Sequence, residues 1–310
     1  MSRYDHMSTF GGKPVVLFES GMEIDPEKCY RIAWSWDRED FSFQEMVAEF
    51  VGADAAAEVT ALVTGAYSEE MYEENMNTVL EPLVAAAGQF PGLTHLFIGD
   101  IISEENEISW IQQSDLSPLW TAFPRLRTLG MRGGNGLTLG AIVHDQLRTL
   151  IIETGGLSRS VIAEIAAARL PELQHLEIWT GSNGYGADST VDDVKPLFER
   201  SLFPKLKTLA IRNCEYADQL PALAATASIL GQLDVLDFSM GAMSDAGADL
   251  LLANRQAFAS LKKLDLSENM LTAKKLAELK SMPCPVVDAQ QREGWVSRDG
   301  SVRRYPAVGE

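Results

Sequence analysis

Four histidines, His6, His95, His144 and His175, and three cysteines, Cys29, Cys214 and Cys284, are the side chains best suited to metal binding or nucleophilic chemistry. Their spacing favours neither. The cysteines are far apart and odd in number, with no Cys-x-x-Cys among them. His95 and His175 hold the same place in a recurring phrase, three copies apart. On strands spaced about 4.8 Å their rings would start roughly 14 Å apart, too far to share one metal. The chain has no His-Glu-x-x-His, no Gly-x-Ser-x-Gly and no phosphate-binding loop. The glycine-rich runs Arg132–Gly136 and Gly181–Gly186 lack the lysine and the flanking pattern of a phosphate cradle, and they read as turns. The acidic runs Ser68–Asn75 and Ser103–Glu107 lack the alternating oxygens and central glycine of a calcium loop, and they read as solvated charge. No catalytic, cofactor or metal site is predicted.

The elements that would position any site come from the recurring phrase. Phe203-Pro204-Lys205-Leu206-Lys207-Thr208-Leu209-Ala210-Ile211-Arg212-Asn213-Cys214 reads as a helix end, a proline stop, a short strand and a turn. Its Leu-x-x-Leu-x-Leu frame recurs from Leu93, Leu126, Leu147, Leu173, Leu206, Leu233 and Leu261, with a weaker copy from Val59. The clear starts lie 33, 21, 26, 33, 27 and 28 residues apart. That suits leucine-rich repeats of about 20–29 residues at their longer end, with room for an outer helix. Phe90-Pro91, Phe123-Pro124, Leu170-Pro171 and Phe203-Pro204 stand at one phase of the repeat. Proline lacks an N–H and forces the preceding residue out of helical geometry, so each helix should stop there.

The predicted fold is therefore an α/β leucine-rich-repeat solenoid, a horseshoe with a parallel concave β-sheet, convex helices and terminal caps. Residues 1–56 are read as tail and N-terminal cap, 57–282 as an array of about eight repeats, and 283–310 as a C-terminal cap or a binding arm. Pro14–Phe18 and Tyr30–Trp36 are predicted strands of the first cap, with Trp34 and Trp36 on one face. Outer helices are predicted over 77–90, 115–123, 157–169, 190–202, 218–231, 244–259 and 272–281. Asp115, Ser158, Asp218, Ser244 and Thr272 are their predicted caps. At the ninth repeat position, Cys214 and Asn269 match the regular pattern. Gly134, Gly155, Gly181 and Gly241 are expected to turn there through positive φ.

The run Leu236–Leu251 resembles the ribonuclease-inhibitor type of repeat, with Ser244 capping the helix. The Phe10-Gly11-Gly12-Lys13-Pro14-Val15 opening and the Arg304–Glu310 ending are similar to those of a family of single-chain bacterial leucine-rich-repeat proteins. Some members are encoded near radical-SAM and ATP-grasp proteins. The resemblance implies an accessory or substrate-holding component of a bacterial modification pathway, with Glu153 and Glu177 as its candidate acids.

Net charge is −18, which argues against nucleic acid and against anionic membranes. It acts chiefly for solubility, or draws a basic partner. No apolar run reaches membrane-spanning length. The start has no apolar signal core and the cysteines form no framework, so a cytoplasmic setting is expected.

Period-two alternation should put repeat positions three, five and seven on the open concave face. There Phe97, Ile151 and Trp179 form an apolar centre, ringed by Arg132, Glu153, Glu177 and Arg212. An apolar centre with a charged rim suits a protein interface. These seven are the candidate partner-binding residues of a non-enzymatic scaffold for an unidentified protein or peptide. The other reading is self-association through the tail, with Trp295 and the tail arginines against the acidic body.

Overall fold

A computed structural model of the chain describes residues 5–35, 41–69, 71, 73–297, 300 and 302–309. Trp36, Glu70, Tyr72 and Glu310, which figure in the sequence reading, lie outside them. The chain divides into two compact units, one reaching Glu153 and one running from Thr154 to Gly309.

The first unit carries β1 (Thr9–Phe10), β2 (Lys13–Leu17), β3 (Cys29–Ile32), β4 (Ala61–Thr64), β5 (His95–Ile98), β6 (Thr128–Arg132) and β7 (Thr149–Glu153). β1 and β2 form an antiparallel hairpin; from β2 onward every pairing is parallel and in chain order. The parallel sheet thus extends into the region predicted as a cap. Its helices are α1 (Phe43–Gly52), α2 (Asn77–Ala85) and α3 (Pro118–Ala122). A capping box between Ser42 and Glu45 starts α1.

The second unit carries β8 (His175–Gly181), β9 (Thr208–Cys214), β10 (Val235–Asp237), β11 (Lys263–Asp265) and β12 (Val286–Val287), again parallel and in order. A small antiparallel hairpin of β13 (Trp295–Val296) and β14 (Val302–Arg303) follows. The helices are α4 (Arg159–Ala166), α5 (Val191–Val194), α6 (Leu220–Ala225), α7 (Asp245–Ala253) and α8 (Ala273–Leu279).

Register follows from the leucines. Leu96, Leu129 and Leu150 pair in sequence across β5, β6 and β7, and Leu176, Leu209, Leu236 and Leu264 do so across β8 to β11. All are fully buried. A one-residue slip would turn each of them to the opposite face, so the ladder fixes the pairing. Burial of each leucine contributes about 1.5–3 kcal/mol.

The four proline joints share one geometry. The N–H of Leu93, Leu126, Leu173 and Leu206 donates to the carbonyl of Phe90, Phe123, Leu170 and Phe203 respectively, at 3.1–3.2 Å. Phe90 and Phe123 have left helical backbone angles, as a residue before proline must.

The helices are shorter than predicted, and several continue as 3-10 turns. Proline explains part of this: Pro196 follows α5, and Pro221 opens α6. The segment 137–146, between the helices predicted over 115–123 and 157–169, has no helix. Leu137, Leu139 and Ile142 still fill the core, and buried His144 ties the turn. Its Nδ1 accepts from the N–H of Gln146 and Leu147, and its Nε2 lies 3.1 Å from the Phe123 carbonyl.

Ser158, Ser244 and Thr272 cap their helices as predicted. Asp218 instead reaches the next repeat, accepting from the N–H and hydroxyl of Ser244 at 2.7 and 2.8 Å. Asp245 repeats the device on Thr272, at 2.9 and 2.7 Å. Each staple holds one helix start against the one before it.

The turn after the strand also departs from prediction. Of the four glycines at the ninth position only Gly181 has positive φ; the left-handed residue is commonly the eighth, at Gly133, Asn213, Met240 and Glu268. The chain therefore turns one residue earlier, which frees the ninth side chain to serve backbone groups. Asn269 does this while fully buried. Its Oδ1 accepts from the Met243 N–H at 3.0 Å, and its Nδ2 donates to the carbonyls of Phe238 and Leu266 at 2.9 and 3.1 Å. Asn269→Ala should orphan these groups and lower stability by about 1–3 kcal/mol. Urea denaturation monitored by circular dichroism would show this as a lower midpoint.

Candidate functional site

Five of the seven predicted partner-binding residues are buried rather than on an open face. Phe97 is 0% exposed, Glu153 and Trp179 1%, Arg132 2% and Ile151 9%; only Glu177 and Arg212 are partly exposed. The rows point as predicted, but Phe97 lies under Phe10 and Trp179 is closed in by Glu177 and Arg212 of the rows themselves.

In the first unit the cover is the segment Asp5–Phe10. The Phe10 ring meets Phe97 edge-on at 6.0 Å and His95 at 6.2 Å. Phe10 and Phe97 join Cys29, Ala61 and Val63 in one buried cluster. Gly130, in the fifth row, makes this possible: a Cβ there would strike the Phe97 ring, which lies across it. Gly65, in the seventh row, likewise lies beneath the Arg31 guanidinium.

Arg31 belongs to a charged chain the sequence reading missed. Asp100 is fully buried. Its Oδ2 lies 3.3 Å from Arg31 Nε and 3.5 Å from His6 Nδ1, and its Oδ1 lies 4.0 Å from Arg132. Arg31 also pairs with Glu105 at 3.2 Å, and His6 Nε2 with Glu105 at 3.4 Å. At the far end Arg132 pairs with Glu153 at 2.9 Å and donates to the Ile101 carbonyl at 2.8 Å. Glu105 therefore leaves the role of solvated charge predicted for its loop.

With His6 protonated, three cations (His6, Arg31, Arg132) balance three carboxylates (Asp100, Glu105, Glu153). Asp100 first and Glu105 second push the imidazole from 6.5 up to about 9, against burial and the Arg31 charge. Burial works to raise both carboxyls, but His6 and Arg31 hold them below their usual range.

In the second unit the structure brings Glu177, Trp179 and Arg212 together. Glu177 Oε1 accepts from Trp179 Nε1 at 2.8 Å and from Arg212 Nη1 at 2.6 Å. The guanidinium lies 5.3 Å from the Trp179 ring centre, and Arg212 Nε donates to Ser239 at 2.9 Å. His175 lies 3.4 Å from Glu177, and Asp237 3.7 Å from Arg212. Burial works to raise the Glu177 carboxyl; His175, Arg212 and Trp179 together outweigh it and hold it at about 2. Burial raises Asp237 above its usual range. Lys263 and Asp265 continue the row, paired at 3.3 Å.

Residues Tyr305–Gly309 run back over the turns of this unit. Ala307 N–H donates to the Met240 carbonyl at 2.8 Å. Asn213, fully buried, clasps Val308 in both directions: Nδ2 donates to its carbonyl at 2.6 Å and Oδ1 accepts from its N–H at 2.8 Å. The hairpin of β13 and β14 remains exposed, with Trp295, Val296 and Val302 at 60, 64 and 58%.

The signal for the missed residues was in the eighth column. Asp100, Thr154, Thr180 and Asn213 stand there, and each is fully buried. Polar residues aligned beside a leucine ladder mark groups with fixed partners.

Among the described residues, no helix is long and apolar enough to cross a membrane. Cys29, Cys214 and Cys284 are free and buried, and burial pushes the first two thiols up to about 12.

Fold and site together define an α/β leucine-rich-repeat protein whose sheet carries paired charges, covered by the chain's own Asp5–Phe10 segment in the first unit and partly exposed in the second. No family model and no curated protein matches the chain. Among solved structures it is similar to a Bacteroides fragilis protein, at 31% identity and TM-score 0.79, over 84% of this chain and 75% of that one. The chain belongs to the same family as that protein. An internalin from Listeria monocytogenes aligns over 80% of this chain and 70% of its own, at 16% identity and a TM-score of 0.37.

His6 should titrate near pH 9. Because its pKa is raised on folding, the stabilisation it provides is complete below about 6.5 and is lost as pH rises through about 9. An NMR titration of the His6 ring should show that midpoint, and Asp100→Asn should return it toward 6.5.

Proposed function

We propose that the protein is a non-enzymatic scaffold that binds a protein partner through the sheet face of its second unit. The observation that carries this reading is the row Glu177, Arg212, Asp237, Lys263 and Asp265. Its charges are partly exposed and fixed by mutual pairing on a rigid sheet. A preorganised charged row gives specificity at little ordering cost. Trp179 and Arg212 act in it as a stacked pair, with the arginine as the accessible member. Phe97, Arg132, Ile151 and Glu153 have almost no surface to offer a partner in this arrangement.

The carboxylates favour binding over catalysis. Glu177, held at about 2, is ionised at neutral pH and is a poor proton donor. Glu153 is enclosed with Arg132. The net charge of −18 favours a protein over a nucleic acid. The three free, buried cysteines suit a reducing cytoplasmic setting.

The test is capture of the partner from native cell extract by wild type, by Lys263→Glu with Asp265→Lys, and by Lys274→Glu on the helical face. The paired swap should reduce capture at least about ten-fold, and Lys274→Glu should leave it unchanged. Equal capture by all three would remove the sheet face from consideration.

The exposed hairpin favours a second reading, self-association. Two short strands are marginal alone in water, and this hairpin exposes Trp295, Val296 and Val302. Val296→Ser with Val302→Ser should then abolish any concentration-dependent rise in sedimentation coefficient. A wild type that sediments as a monomer at every concentration would end this reading.

A further inference from the structure

The segment Asp5–Phe10 meets the first unit as a bound peptide would. Met7 N–H donates to Asp100 Oδ2 at 3.2 Å, across 93 residues of sequence. His6 enters between Asp100 and Glu105, and Phe10, four residues on, fills the space beside Phe97 and His95. Gly11, at φ +59°, then turns the chain toward β2; a Cβ there would meet the His95 ring. The backbone pairing of Thr9 and Phe10 is to Pro14 and Lys13 of their own hairpin. Such a contact, made by a few side chains, belongs to the weaker part of a fold.

The seat has capacity its occupant leaves unused. Without His6, Arg31 and Arg132 face three carboxylates, leaving one negative charge uncompensated. Asp100 Oδ1 is buried, accepts no hydrogen bond, and has Arg132 at 4.0 Å. An imidazolium offers one donor on each of two nitrogens, and both of His6 are directed at carboxylates. A guanidinium is longer and carries five donors in a planar fork suited to carboxylates.

We propose that this face is a peptide seat occupied in cis by Asp5–Phe10, and that its partner is an extended segment of another protein bearing an arginine four residues ahead of a phenylalanine. The chain's own segment keeps the seat closed, and the incoming arginine outcompetes the histidine for the two carboxylates. This seat lies in the first unit and is independent of the charged row in the second.

Two fluorescent octapeptides test it: one with the sequence of residues 5–12, and one in which the histidine is replaced by arginine. They are titrated by anisotropy against the full chain and against its His6→Ala variant, which removes the cis cation and so favours release of the whole cis segment, Phe10 included. The arginine peptide should bind the His6→Ala chain at least about ten-fold more tightly than wild type, and more tightly than the histidine peptide does. Replacing the peptide's phenylalanine by alanine should abolish binding. Glu105→Gln, a change at a partly exposed position, should weaken it in the His6→Ala background. Equal binding to both chains, no saturable binding to the His6→Ala chain, or indifference to Glu105→Gln would overturn the proposal.

Discussion

In an in-register parallel sheet, equivalent residues of successive repeats stand side by side about 4.8 Å apart. A charge in one repeat is therefore always next to whatever its neighbour carries, and a column of like charges would repel along its length. This constraint governs both units. In the first, the register partners Arg132 and Glu153 alternate in sign, with Asp100 one position further along; in the second, Arg212 stands beside Trp179 and reaches diagonally to Glu177 and Asp237, which flank Ala210 in the neighbouring row. Where alternation fails, at Asp237 and Asp265, Lys263 supplies a counter-charge to the latter and the Asp237 carboxyl is raised.

Burial sharpens the constraint. A covered charge loses water, and only close partners offset that loss. The pairs are accordingly close: 2.9 Å for Arg132 and Glu153, 2.6 Å for Arg212 and Glu177. Exchanging such pairs for apolar side chains can be neutral for stability, whereas removing one member is costly. Their role here is thus better sought in register and in orientation. A shift of one residue would part Arg132 from its register partner Glu153 and turn the leucines to the opposite face.

The ladder, the proline joints and three of the helix caps were legible in the sequence because each depends on neighbours within one repeat. The covers were not, because they depend on residues far away in the chain. Asp100 meets Met7 across 93 positions, and Asn213 meets Val308 across 95. Period two correctly assigned Phe97 and Trp179 to a face of the sheet; it could not show that Phe10 lies over the first. Nor could composition show that Glu105 turns back toward Arg31. The polar eighth column was the available clue, since a buried Asp or Asn must have a partner.

The two units solve the same problem differently. In the first, the segment Asp5–Phe10 brings its own cation and aromatic ring to the charged column. In the second, the returning tail lies on the turns, its own backbone groups bonded to the Met240 carbonyl and the Asn213 side chain, and leaves the charged row partly exposed. A cover held by side chains on the strand face competes with any ligand for that face. A cover held by backbone on the turns does not. The chain therefore presents one face that is already satisfied and one that is paired but accessible, and the difference comes from where each covering segment finds its hydrogen bonds.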